Sequence, residues 1–187
     1  MTKTLPFLLA GLLALGSASA QTVKLQTTEG DISIELNAEK APKTVANFLQ
    51  YVKAGHYNGV VFHRVIDGFM SQTGGYDAKL NQRPTKPPIP LESHNGLSNV
   101  RGSVAMARTG HPHSATSQFF INVVDNPPLD GDPGNPASGY AVFGHVIEGM
   151  DVVDKIRVVE TKDARPHANL PVKPIFITKA FVEPAKK

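Results

Sequence analysis

Arg64 and Gln72 flank Phe69 and Met70 in the run Phe62-His-Arg-Val-Ile-Asp-Gly-Phe-Met-Ser-Gln-Thr-Gly-Gly75. A guanidinium stays charged at every relevant pH and presents its donors in a rigid fork, while a glutamine amide both donates and accepts. Beside them the phenylalanine and methionine supply apolar surface. A fixed donor, an amide and an apolar wall suit a small apolar group that bears a carbonyl, which describes a peptide-like ligand. A plainer account makes Phe69 and Met70 core residues, Arg64 a surface charge and Gln72 a loop polar group. Taken alone, the segment favours that account slightly.

A second segment changes the balance. Ser103-Val-Ala-Met-Ala-Arg108 is followed, after a short polar loop, by Thr116-Ser-Gln-Phe-Phe-Ile-Asn122. Together the two segments resemble the cyclophilin family of peptidyl-prolyl isomerases. The pattern Phe-His-Arg-x-x-x-Gly-Phe-Met-x-Gln-x-Gly-Gly runs from Phe62 to Gly75, and Ser-Gln-Phe-Phe-Ile runs from Ser117 to Ile121. The resemblance spans the chain from about Val23 to Phe181. It implies that Phe69, Met70, Phe120 and Leu129 form a pocket for the proline ring, with Tyr140 beside it. It further implies that Gln72 and the backbone near Ala107 and Arg108 hold the flanking peptide, and that Gln118 is a second groove glutamine. Arg64 is the candidate catalytic group, donating to the proline nitrogen as the X-Pro bond twists.

Three positions depart from the form common in eukaryotic members. Pro128 stands where many have tryptophan, Tyr140 replaces the usual histidine, and Arg108 replaces an asparagine. The tyrosine and arginine resemble exported bacterial members. Without the indole a flat apolar surface and an N–H donor are missing, so weak cyclosporin binding is expected with peptide turnover retained. Proline-containing unfolded or partly folded polypeptides are the expected partners. No cofactor is needed, and the reaction uses no titrating group near neutrality, so a flat pH profile is expected.

The elements that must position these residues are legible in outline. Val60, Val61, Val65 and Ile66 favour extended backbone, and Asp67-Gly68 ends that strand with a turn. From Val23 to Leu36, alternating apolar residues around Glu29-Gly30 predict a hairpin. Pro42 opens an amphipathic helix that carries Val45, Phe48, Leu49 and Val52 on one face and ends at Gly55. Residues 76–102, rich in proline, read as a surface loop whose tyrosine and lysines are solvated filler. Ser103–Arg108 and Phe119–Val123 read as strands, the second presenting Phe120 on the face opposite Phe119. Residues 125–139 form a loop, Tyr140–Val146 a strand, Met150–Ile156 a short helix and Pro174–Phe181 a final strand. The expected fold is mainly β. The resemblance sharpens this to a closed eight-stranded antiparallel barrel capped by two α-helices, with the groove on its outer side.

The first 20 residues hold Lys3, an apolar run from Leu5 to Leu15, and Ala18-Ser-Ala20 as a cleavage site, which is the pattern of a signal peptide. The apolar run is shorter than the roughly 20 residues a membrane span needs. Residues 21–187 are then one domain, expected to work in the periplasm with no membrane attachment after cleavage. Lys3 is the only charge in the leader, so the remaining 167 residues carry 18 Lys+Arg against 16 Asp+Glu, a net of +2. That balance implies no nucleic-acid partner. Cysteine is absent, which excludes disulfides and thiol catalysis.

Seven histidines invite a metal, but they lack metal-ligand spacing, and the three aspartates of 125–139 lack the EF-hand pattern, so no metal is expected. His63 is expected to face away from the groove. No nucleophile or paired carboxylate points to hydrolysis. No long exposed apolar stripe demands an obligate dimer, and a monomer is expected. A peptide-holding module without catalysis, or a small-ligand carrier inside the barrel, are the rival readings. The intact set of motif residues argues against the first, and large inward residues that fill a small barrel argue against the second.

Overall fold

The computed structural model describes residues 21–184. The expected signal peptide lies outside the described residues. One antiparallel sheet dominates, in the ladder order β3-β11-β1-β2-β8-β6-β7-β5-β4. Its strands are β1 (Thr22–Thr27), β2 (Gly30–Leu36), β3 (Val60–Val61), β4 (Arg64–Ile66), β5 (Met70–Thr73), β6 (Ser103–Met106), β7 (Phe119–Asn122), β8 (Val142–Glu148) and β11 (Phe176–Val182).

The expected closed barrel of eight strands is found as a curled sheet of nine ladder segments. Its two ends, β3 and β4, are consecutive pieces of one stretch, interrupted at Phe62-His63. Counting that stretch once gives eight positions. Across the interruption, Phe62 N–H donates to the Ile175 carbonyl and His63 N–H to the Gln72 carbonyl, so the stretch is tied to both β11's side and β5.

Period-two alternation sorts the side chains into two cores. Val65, Val104, Met106, Phe119 and Ile121 point inward and join Val23, Leu25, Ile32 and Ile34 in the main core. Helix α1 (Pro42–Lys53) covers this core with Val45, Phe48, Leu49 and Val52, as its apolar spacing predicts. Phe48 meets Phe119 edge-on at 5.3 Å and Phe143 at 5.0 Å. Helix α2 (Met150–Arg157) buries Val152, Val153 and Ile156. Its N-terminal Asp151 and C-terminal Lys155 and Arg157 match the sign of the helix dipole.

Several boundaries differ from expectation. Strand β8 starts at Val142, because Tyr140 is drawn into the loop wall, and it runs on to Glu148. A 3-10 turn at Pro127–Leu129 sits inside the expected 125–139 loop. A two-stranded hairpin of β9 (Thr161–Ala164) and β10 (His167–Pro171) is not foreshadowed by any apolar pattern. Residues 76–102 contain no named strand; the lysine side chains at 79 and 86 are exposed as expected, but Tyr76 and other parts of the stretch are tied to the rest of the fold. Tyr76 packs 4.7 Å from both His63 and His167, the amide of Lys86 donates to the Tyr51 hydroxyl, and Glu92 caps α1.

Candidate functional site

Cross-strand register builds the site. Arg64 stands opposite Gln72, Gln72 opposite Phe120, Phe120 opposite Ala105, and Ala105 opposite Val142. Residues directly opposite on an antiparallel ladder share a face. One row across β4, β5, β7, β6 and β8 therefore carries a guanidinium, an amide and an apolar stretch on the face away from the main core. The next row adds Ile66, Met70 and Asn122.

Met70, Ala105, Phe120 and Val142 form the buried floor of a second, smaller apolar cluster. Ile66, Phe69, Leu97, Ala107, Leu129 and Tyr140 pack around it, partly exposed. The structure thus brings together Phe69, Met70, Ala107, Phe120, Leu129 and Tyr140, which lie far apart in sequence. Tyr140 meets Phe120 edge-on at 5.6 Å, a favoured aromatic geometry.

The polar candidates line the adjoining edge. Gln72 Nε2 donates to Gln118 Oε1 at 2.9 Å, so the two glutamines act as a pair. The Gly74-Gly75 pair makes room for them. Gly74 has φ +96°, and a Cβ there would stand 2.6 Å from the Ser117 carbonyl, while one on Gly75 would meet the Gln118 side chain at 2.7 Å. Arg64 is half-buried, and among the described residues no hydrogen bond or ion pair occupies its guanidinium. It is poised to donate outward.

Arg108, expected to offer its backbone to the flanking peptide, has its side chain engaged elsewhere. Its Nε donates to the Gly139 carbonyl at 2.9 Å and its Nη1 to the Thr109 carbonyl at 3.0 Å, and its guanidinium lies 4.9 Å from the centre of the Tyr140 ring. The side chain is a staple that presses Tyr140 against Phe120, although the backbone at Ala107 and Arg108 still borders the groove. Ala107 N–H is itself used, donating to the Gln118 carbonyl at 3.0 Å.

His63 is buried against Tyr76 and His167, at 4.7 and 6.0 Å between ring centres. Burial first, then the neighbouring His167, lower its pKa to about 4, and its Nδ1 has no hydrogen-bond partner. A neutral imidazole held by packing suits a wall, not a general base. Among the described residues no group of three His, Cys, Asp or Glu could hold a metal. His111 and His113 instead accept backbone N–H groups of their own loop and of Leu91. A separate cleft of about 1070 Å³, bounded by β2, β8 and residues 96–100, meets the groove cluster only at Leu97 and Val142. It contains neither the arginine nor the glutamines.

Residues 22–182 match the family of cyclophilin type peptidyl-prolyl cis-trans isomerases. Peptidyl-prolyl cis-trans isomerase A of Dickeya dadantii is 50% identical over 169 residues, covering 90% of this chain and 88% of the relative. Peptidyl-prolyl cis-trans isomerase B of Escherichia coli is 50% identical over 161 residues, 86% of this chain and 98% of the relative. The chain belongs to the cyclophilins. Among solved structures, a Cryptosporidium parvum cyclophilin determined in the presence of the dipeptide Ala-Pro superimposes with a TM-score of 0.73 at 26% identity, covering 88% of this chain and 99% of that one.

As a cyclophilin the protein is a peptidyl-prolyl cis-trans isomerase. Sequence reasoning missed four members of its apolar cluster, Ile66, Leu97, Ala105 and Val142. Three sit on the same strand face as the expected residues and were recoverable from alternation. Leu97 lies in the irregular 76–102 stretch, where no periodicity points to it.

Proposed function

We propose that this cyclophilin turns X-Pro bonds without covalent chemistry, through donation from Arg64 to the proline nitrogen, and that it serves exported proteins as they fold in the periplasm. The observation that carries the mechanism is the register row Arg64, Gln72, Phe120, Ala105, which sets an unoccupied guanidinium beside an apolar floor.

Rotation about the peptide bond meets a barrier of about 18–20 kcal/mol because resonance must be broken. In the twisted state the proline nitrogen regains its lone pair and becomes an acceptor it was not before. A donor in place binds that state more tightly than either planar one, and only such differential binding raises the rate. The proline ring against Phe69, Met70, Phe120 and Leu129 fixes one side of the bond. Gln72, Gln118 and the backbone at Ala107 and Arg108 fix the flanking peptide, so the carbonyl between them is the part left free to swing. A charged hydrogen bond contributes about 1.5–3 kcal/mol, or roughly 10- to 100-fold in rate.

The setting rests on the leader pattern of residues 1–20, and among the described residues no helix is long and apolar enough to cross a membrane. The protein acts as a monomer on proline-containing segments, with no nucleic-acid partner. The deciding experiment follows cis-to-trans relaxation of a short Ala-Pro peptide with the wild-type protein and with Arg64→Ala. A loss of about 10-fold or more in the variant, at least ~1.4 kcal/mol of transition-state stabilisation, is expected. Equal rates would remove the guanidinium from the mechanism.

A further inference from the structure

Behind the apolar groove runs a chain of buried asparagines that neither the fold nor the reaction requires by type. Asn122 on β7 is fully buried, Asn99 is 1% exposed and Asn126 8%. They are joined head to tail. Asn126 Nδ2 donates to Asn122 Oδ1 at 2.7 Å, Asn122 Nδ2 donates to Asn99 Oδ1 at 3.1 Å, and Asn99 Nδ2 donates to the Leu129 carbonyl at 3.0 Å and to Asp130 Oδ1 at 2.9 Å. At the other end Asn126 Nδ2 also reaches the Phe69 carbonyl at 2.9 Å. The two ends of the chain therefore hold the backbones of two residues that wall the pocket, Phe69 and Leu129. A third wall follows, because Tyr140 N–H donates to the Leu129 carbonyl at 2.9 Å.

The polarity of the chain makes it act as a unit. An amide has a donor end and an acceptor end, and Asn122 and Asn99 each accept through the oxygen and donate onward through the nitrogen. Turning either over would set nitrogen against nitrogen or oxygen against oxygen in a buried site, where the mismatched groups would go unsatisfied. Hydrogen bonds in such a series also polarise one another. Backbone bonds from Asn126 N–H to the Asn99 carbonyl, and from Leu129 N–H to the Asn126 carbonyl, lock the same loop to the same chain at 2.8 and 2.9 Å.

We propose that Asn126, Asn122 and Asn99 form a positioning relay that fixes the gap between the Phe69 and Leu129 walls, and so sets how large a ring the groove accepts at the proline position. The inference rests on the reading of this groove as the proline site. None of the three asparagines touches substrate; they act through the walls. A relay of fixed length favours the five-membered ring of proline over the six-membered ring of pipecolic acid, its one-carbon homologue.

The test measures kcat and KM for two short peptides that differ only in carrying proline or pipecolic acid after alanine. For Asn126→Ala the KM for the proline peptide should rise about 5-fold or more, while the preference for proline over pipecolic acid shrinks. The double variant Asn99→Ala/Asn126→Ala should then cost little more than the worse single one, since either breaks the same relay. An unchanged KM and an unchanged preference, with only a lower melting temperature, would overturn the proposal. So would KM effects that multiply in the double variant.

Should Asn126→Ala fail to fold, Asn126→Asp keeps the size and the acceptor but removes the donor to Phe69, and it must shift the same preference. Arg64→Ala separates the two ideas, because it should lower the rate with both peptides and leave their ratio alone. If wild type binds both peptides but accelerates neither, the isomerase mechanism falls, and the relay is read from the ratio of the two dissociation constants.

Discussion

Buried His63 makes stability depend on pH across a mildly acidic window. The folded protein holds the imidazole at a pKa of about 4, against an ordinary value of 6.5, because burial and the nearby His167 disfavour the charged ring. The unfolded chain therefore binds a proton that the folded chain refuses. Stability from this group is fully present above its unfolded pKa and is lost as pH falls from about 6.5 towards 4. Each pH unit across that window removes at most about 1.36 kcal/mol, so the loss between pH 7 and about pH 4.5 amounts to roughly 2 kcal/mol.

Urea unfolding at those two pH values, for wild type and for His63→Gln, isolates the effect. His56, also lowered by burial, contributes in the same direction and is common to both proteins. Asp77 and Asp154 are lowered from an ordinary 3.8, so their contributions disappear only below that pH. Wild type should lose about 2 kcal/mol more than the variant on acidification. If both lose the same amount, His63 is not held neutral by burial and the reasoning fails. The isomerase rate of the folded protein should stay flat between about pH 6 and 8, since the guanidinium keeps its charge throughout.

Three further outcomes follow from the same geometry. Glu92→Ala removes the carboxylate that accepts from the amides of Lys43 and Thr44 and from the Thr44 hydroxyl, at 3.1, 2.9 and 2.7 Å. The loss of about 2 kcal/mol should lower the melting temperature by about 4–8 °C, and a drop below about 1 °C would show that water replaces the cap. Arg108→Ala releases Tyr140 from its staple and should raise KM for proline peptides several-fold while kcat changes less; an unaltered KM would show that Phe120 and the Leu129 carbonyl hold Tyr140 without the guanidinium. Cyclosporin should bind weakly because Pro128 offers neither an indole face nor an N–H, and a tight complex by calorimetry would overturn that.

Much of the apolar cluster was legible through the resemblance of two segments to the cyclophilins, and period-two alternation added the split between Phe119 and Phe120. Phe119 and Phe120 go to different cores as their adjacency on a strand demands, and Phe69, Met70, Ala107, Phe120, Leu129 and Tyr140 meet in one cluster. What escaped has long-range causes. The hairpin β9–β10 carries Lys162, Asp163 and Pro166 in place of apolar alternation, and it forms where His167 can pack on Tyr76 and His63. The N-cap of α1 comes from Glu92 and not from Ala41, whose methyl group offers no acceptor. Asn99, Asn122 and Asn126 look in sequence like turn formers or a strand polar residue, because asparagine serves turns and buried networks equally well. The carbonyl partners of the Arg108 side chain, Gly139 and Thr109, could not be read from the sequence because Gly139 lies on a distant loop.

The place of β11 in the ladder has a consequence in time. Val182 pairs with Val23 and Ile177 pairs with Val60, so a strand that follows the whole groove in the chain is the partner of both β1 and the stretch that continues into Arg64. Until residues 176–182 emerge, β1 and β3 each present an unsatisfied edge, and contacts so distant along the chain are slow to close. A chain that lacks that strand still has the ladder β4-β5-β7-β6-β8 that carries the groove, but β1 and β3 lose the partner that joins them. Joining the two ends of the ladder therefore waits on that strand, and a product lacking it exposes edges that invite aggregation.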